Sequence, residues 1–424
     1  MTTADFDRAR PYRPRAIRLV NSIGERLRGL GVGAGRWSED ELIRAARRST
    51  GLSDFGDERF RVPLAVLLDS LESEARLHTV GRLITKARLV AALATRLRMR
   101  DYVVRHPQIL QSQLPPPVVI AGLQRTGTTM LHRLLASDPR LRAVLSWEGM
   151  APIPSGGRLK VDTRYAKARA SERALAYMAP AFFAIHPVEA SAPEEDVLLL
   201  DCTFMSTTPE ATLHVPTYAS WLETQDHTAA YEDFRTLLAI LAHHHGPSRF
   251  VLKTPHHLEY FDVLRRVFPG VQIVQTHRDP ARTLASFCSM VWHGRGVFSD
   301  DVPRAEVGDH WSRKIGRLLA RSMAVREQAR DEGFLDVSYY DLIDDPVRTV
   351  GELYAGLGLR LTPDAERSMI ATKKRNPQHK HGQHRYRLAD FGLDADGVEP
   401  LFAAYRKKFG VRHEIDDSPP RIRG

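Results

Sequence analysis

From about residue 14 to residue 113 the chain shows no alternation of apolar and polar positions. Instead Leu64, Leu67, Leu68 and Leu71, then Val80, Leu83, Ile84 and Ala87, then Val90, Leu93, Ala94 and Leu97 recur at helical spacing. The pattern predicts a helical N-terminal extension over residues 1–113. "SQLPPP" (Ser112 to Pro117) breaks any helix, and the apolar run "VVIAG" behind it reads as a short buried strand that ends at a glycine loop. A helix is predicted to begin near Gly127.

Further along, "RFVLK" (Arg249 to Lys253), "VQIVQTHR" (Val271 to Arg278) and "FLDVSYYDL" (Phe334 to Leu342) read as strands. A helix with the apolar face Phe234, Leu237, Leu238 and Leu241 precedes the first. "PHHLEYFDVLRRVFPG", ended by Pro269 and Gly270, and "DPVRTVGELYAGLGL" supply two more helices. Strands alternating with helices predict an α/β fold over residues 114–424, a P-loop-like parallel sheet flanked by helices.

The glycine loop supplies the first candidate chemistry. "GLQRTGTT" (Gly122 to Thr129) fits the phosphate-binding pattern G-x-x-x-x-G-K-[ST] except that Thr128 stands at the lysine position. A strand feeding such a turn presents backbone N–H groups and the positive end of a helix to an anion. Arg125, Thr126, Thr128 and Thr129 add side-chain donors. Without the lysine that reaches the β- and γ-phosphates, the loop suits a phosphate or sulfonate of lower charge, bound without a metal. The second candidate is "THRDPARTLASF": Arg278 ends a buried strand at the edge where open α/β sheets bind ligands, and Ser286 follows eight residues on, so the pair could hold a second phosphate.

Charge agrees with an anionic partner. The net charge is +10, which by itself fits nucleic acid, a membrane surface or a polyanionic small molecule equally. The two cysteines, Cys202 and Cys288, have neither disulfide-framework nor zinc-site spacing and fit a reducing cytoplasm. No apolar run approaches the length of a membrane span, which leaves peripheral membrane contact open.

"PPVVIAGLQRTGTTMLHRLLASDP", "FVLKTPHHLEYFDVLRRVFP", "VQIVQTHRDPARTLASF" and "HGQHRYRLADFGL" together resemble the sulfotransferases that use 3′-phosphoadenosine-5′-phosphosulfate (PAPS), in particular the bacterial group with an N-terminal helical extension. The resemblance covers roughly residues 60 to 410. It implies that Arg125, Thr126, Gly127, Thr128 and Thr129 bind the 5′-phosphosulfate, and Arg278 and Ser286 the 3′-phosphate. A K-x-P-x-H pattern implies catalytic roles for Lys253 and His257, and a P-E-E segment implies one for Glu195; which of His257 and Glu195 is the base stays open. The basic segment Lys373 to Arg387 resembles the loop that closes over the 3′-phosphate, with Lys380, His381 and Gly382 at its centre, though it departs from the R-K-G form of the animal cytosolic enzymes.

The activity so implied is sulfuryl transfer from PAPS to a hydroxyl of a small molecule, such as a lipid, sterol or phenol, with no metal and no nucleic acid. A non-catalytic nucleotide- or polyanion-binding protein, or a divergent P-loop kinase, would keep the loop and the basic surface. The presence of Lys253 with nearby bases speaks against the first, the missing loop lysine against the second.

Overall fold

Five apolar segments pair into one sheet: β1 (Val118–Gly122), β2 (Leu141–Ala143), β3 (Arg249–Lys253), β4 (Gln272–His277) and β5 (Phe334–Ser338). The computed structural model describes residues 12–32, 35–154, 162–246, 248–375 and 386–414. The strand order is β2-β3-β1-β4-β5, and every pairing is parallel. β1 is buried at every position, and β3 and β4 at all but their first. Burial on both faces is why they read as continuous apolar runs rather than alternating ones.

Alternate residues of the strands feed two cores. Val118 and Ile120 join Val251, Val274, Leu131 and Tyr354 on one face of the sheet. Val119 and Ala121 join Phe234, Leu252, Phe261 and Trp311 on the other, in a core that continues into the N-terminal helices through Leu42, Leu64, Leu93 and Leu97. Those helices are α1 (Arg15–Gly29), α2 (Glu39–Thr50), α3 (Arg61–Ser73) and α4 (Thr79–Arg105); α5 (Thr128–Leu135) follows the glycine loop. Among the described residues no helix is long and apolar enough to cross a membrane.

The connection from β1 leads to β2 at one edge of the sheet, and that from β4 leads to β5 at the other. Since β1 and β4 are neighbours, the switch point lies between their carboxyl ends, where a crevice forms outside the sheet. The glycine loop and Arg278 both emerge there.

Two local expectations are corrected, and one strand was not expected. The stretch 334–342 is a strand only as far as Ser338, whose Oγ accepts the Asp341 N–H (3.4 Å) and starts the helix Tyr339–Asp344. Capping chemistry overrides the strand preference of the tyrosine pair. The helix expected from Pro255 is a 3₁₀ turn, Pro255–Glu259, followed by the helix Phe261–Val267. β2, three residues long, carries too short a pattern to predict.

Two buried histidines tie stability to pH. His132 on α5 donates from Nε2 to the Val251 carbonyl oxygen (3.2 Å), and burial, reinforced by the Lys253 charge, pushes its pKa down to about 3. Burial pushes His227 down to about 4. Unfolding returns both toward 6.5, so below that pH the unfolded chain binds more protons and stability falls as pH falls, by about 1.4 kcal/mol per pH unit for each histidine. The melting temperature should therefore drop between pH 6.5 and 5, and His132→Gln should reduce the slope over that window; an unchanged slope would show that His132 does not contribute.

Candidate active site

The glycine loop is shaped by crowding at its start. Gly122 lies opposite Thr276 of β4, and a Cβ at Gly122 would sit 2.0 Å from the Thr276 Oγ1. Only glycine fits without displacement. The Thr126 hydroxyl donates to the Leu123 carbonyl oxygen (2.6 Å) and accepts from the Thr276 hydroxyl (2.6 Å), which pins the loop to the neighbouring strand. Gly127, at φ +87°, turns the chain into α5, and no side chain caps that helix. Its first amides, including those of the buried Thr128 and the exposed Thr129, therefore face the crevice as an anion site. Arg125 is exposed and takes the left-handed conformation (φ +71°), a strained choice for a residue with a Cβ.

On one side of this loop β3 ends in Lys253, which is 2% exposed. Its Nζ donates to Glu195 Oε1 at 2.9 Å, and Glu195 keeps a quarter of its side chain open to solvent. The next carboxylate in the chain holds this arrangement in place. Asp196 is buried; its Oδ2 accepts the Lys253 backbone N–H (2.5 Å) and its Oδ1 the Nε2–H of His257 (2.9 Å). The Tyr231 hydroxyl donates to His257 Nδ1 (2.8 Å), and burial pushes that phenol well above its ordinary pKa, so it stays a donor. His257 is thus fully enclosed with both ring nitrogens engaged.

On the other side Arg278 follows β4. Its guanidinium reaches back to the Arg125 carbonyl oxygen (3.1 Å), stacks over the Tyr339 ring (4.0 Å) and grips both carboxylate oxygens of Glu414 at 2.9 Å. Tyr340 also donates to Glu414 (2.6 Å). Burial raises the Glu414 pKa, but the bonds from Arg278 and Tyr340 outweigh it and hold the carboxyl below its ordinary value. Arg278 is paired with Glu414, whereas its neighbour Asp279 caps the helix Pro280–Arg295 and binds Arg406 (2.8 Å). Ser286 is buried in that same helix.

The fold therefore brings Arg125, Thr126, Gly127, Thr128, Thr129, Lys253, Glu195 and Arg278 to one sheet edge, and sets His257 behind Glu195 rather than open to the crevice. Lys380, His381 and Gly382 lie outside the described residues. Within the acidic run Glu194, Glu195 and Asp196 the sequence favours Glu195 over Asp196, and it gives no signal for Tyr231 or Glu414. Among the described residues no three His, Cys, Asp or Glu side chains gather as a metal site.

Comparison with known proteins gives a consistent set of relatives. The family model described as "Sulfotransferase family" matches residues 116–364. Omega-hydroxy-beta-dihydromenaquinone-9 sulfotransferase Stf3 from Mycobacterium bovis and from Mycobacterium tuberculosis is 25% identical over 260 residues. That match spans 58% of this chain and 63% of the length of those relatives. Among solved structures, sulfotransferase STF1 from Mycobacterium tuberculosis is 33% identical, with a TM-score of 0.77, over 87% of this chain and 99% of its own. Sulfotransferase STF9 from Mycobacterium avium is 26% identical, with a TM-score of 0.82, over 89% and 98% respectively.

The contact at Gly122 is open to test. Gly122→Ala should destabilise the fold by about 1–3 kcal/mol through overpacking, and adding Thr276→Ala should recover part of that loss in denaturant titration. No recovery would mean that the loop is fixed by something other than this pair.

Proposed function

The chain belongs to the sulfotransferase family, and we propose that it transfers the sulfuryl group of PAPS to the hydroxyl of a small apolar acceptor, with Glu195 as the base. The observation that carries this reading is the Lys253–Glu195 ion pair (2.9 Å) beside an uncapped helix N-terminus at the same sheet edge.

The donor set suits PAPS on both sides of the loop. The amides opening α5, with Arg125, Thr126, Thr128 and Thr129, would hold the 5′-phosphosulfate, and Arg278 with Ser286 the 3′-phosphate. Arg278 already holds an anion, the Glu414 carboxylate, in the bidentate fashion that suits a phosphate. When bound, PAPS supplies the sulfuryl group as an activated ester.

The residues then divide the work. Glu195 is partly exposed and can meet an acceptor hydroxyl; His257 is enclosed and has no free lone pair with which to take a proton. Protonation of Glu195 removes the counter-ion of Lys253, which leaves the ammonium available to negative charge building on the opposite side of the site. His257 acts through Asp196, which anchors the Lys253 backbone, and is a positioning residue. The relatives named for an omega-hydroxylated menaquinone support a hydroxylated lipid as the acceptor, with residues 1–113 shaping its pocket.

Two measurements test this. With labelled PAPS and a panel of hydroxylated lipids, sterols and phenols, Glu195→Gln should lower turnover about 10²-fold or more and leave the affinity for 3′-phosphoadenosine-5′-phosphate nearly intact. His257→Gln should mainly lower the melting temperature; normal turnover in Glu195→Gln would remove that residue from the chemistry. In calorimetry with EDTA, Arg278→Ala should weaken 3′-phosphoadenosine-5′-phosphate by about 10- to 150-fold, the equivalent of about 1.5–3 kcal/mol. Glu414→Gln should tighten it, since the carboxylate competes for the same guanidinium. Unchanged affinity in both variants would make Arg278–Glu414 a structural pair.

A further inference from the structure

α1 faces the protein with its polar side. The buried Asn21 accepts the Val80 N–H through Oδ1 (3.0 Å), Gly24 lies so close to Thr79 that a Cβ would approach its Oγ1 to 2.1 Å, and Arg28 donates to the Leu77 carbonyl oxygen (3.3 Å). Just ahead of the helix, the buried Arg13 is tied to Asp300 and to the Gly296 and Ser299 carbonyl oxygens. The helix is thus fixed at both ends, with its rotation set by hydrogen bonds.

That rotation turns its apolar side outward. Leu19, Val20, Ile23, Leu27 and the C-cap residue Leu30 are between 42% and 78% exposed. At 100° per residue these five fall within about 100° of the helix circumference, a continuous stripe opposite Asn21 and Arg28. A stripe of this kind on an anchored helix marks an interaction surface. On one flank of it, Arg15 and Arg26 lie about 90° and 70° from the centre of the stripe; both are exposed and have no carboxylate partner among the described residues, and Glu25 is the single acid within the helix. Arginines beside an exposed leucine and isoleucine stripe match the two layers of an anionic bilayer surface, headgroup charge above and acyl chains below. A second copy of this helix would bring the same arginines together and is disfavoured by like charge.

We propose that α1 is a membrane-docking helix, which lays Leu19, Val20, Ile23, Leu27 and Leu30 into the interface of an anionic lipid bilayer while Arg15 and Arg26 engage the headgroups. The surface stands on α1 alone and does not depend on the identity of the sulfuryl acceptor.

Flotation of the full chain with vesicles tests it. Binding to vesicles of phosphatidylcholine with phosphatidylglycerol should exceed binding to phosphatidylcholine alone at least tenfold, and should weaken as salt rises. Ile23→Asp with Leu27→Asp should reduce binding to the anionic vesicles at least tenfold without changing the melting temperature, because both side chains are exposed in the fold. Val104→Asp, an exposed apolar position near the far end of α4, about 36 Å along that helix from Val80, should leave it unchanged. Failure of the unaltered chain to float, equal binding to neutral vesicles, or retained binding in the double variant would overturn the proposal. So would a dimer by light scattering that Ile23→Asp with Leu27→Asp converts to monomer, since the stripe would then be a subunit interface.

Discussion

The candidate site depends on one buried carboxylate. Asp196 is 1% exposed, and an ionised carboxylate so enclosed is tolerable only if strong donors meet its oxygens. It has them: the Lys253 amide at one oxygen and the His257 ring at the other. The first bond ties the acidic segment to the end of β3; the second draws in the 3₁₀ turn after that strand and, through Tyr231, the helix Thr228–His245. Glu195 is adjacent to Asp196 in the chain, so this anchoring carries it to the Lys253 ammonium. Remove the anchor and three elements from separate parts of the sequence lose their common register. The pairing of a partly exposed Glu195 with a buried Asp196 also separates two neighbouring carboxylates into one that meets solvent and one that holds the fold together.

How much of this was legible in the sequence follows from the range of each interaction. β1, β3 and β4 were readable because a strand buried on both faces must be apolar at nearly every position. The glycine loop was readable because its constraints are local: a turn needing positive φ at Gly127 and a close approach at Gly122. Lys253 and His257 could be listed as residues from a short motif, but the enclosure of His257 comes from Tyr231 and Asp196, 26 and 61 positions away, and no periodicity encodes that. Glu414, 136 positions from the arginine it grips, was invisible for the same reason. The tyrosine pair after Ser338 misled in the opposite way, since strand preference was read where a helix cap decides.

Composition was similarly coarse. A net charge of +10 points to an anion, yet many arginines are spent inside the fold. Arg326 is 2% exposed and binds Asp336 and Gln275, Arg96 binds Asp233, and Arg406 binds Asp279. Other arginines are exposed and have no carboxylate partner among the described residues, as at Arg125 on the sheet edge and at Arg15, Arg18 and Arg26 on α1. The same total charge thus separates into cations held inside the fold and exposed ones, at the crevice and on α1.

The strand order explains why a lysine inside the glycine loop can be dispensed with. A loop lysine in a nucleotide triphosphatase brings one positive charge to the phosphates from within the loop itself. Here β3 and β4 flank β1, so the residues at their carboxyl ends stand on either side of the loop. One is Lys253, placed at the level of Ile120 by the parallel register; the other is Arg278, which reaches the Arg125 carbonyl oxygen from the strand beyond. Two cations from neighbouring strands therefore bracket the anion site, each fixed by its own carboxylate, Glu195 and Glu414. A cation held this way is oriented before any anion arrives and can exchange one negative partner for another at little reorganisation cost. Under the proposed function that exchange would be carboxylate for phosphate at Arg278 and carboxylate for developing charge at Lys253, on both sides of the loop at once, which a single loop lysine could not provide.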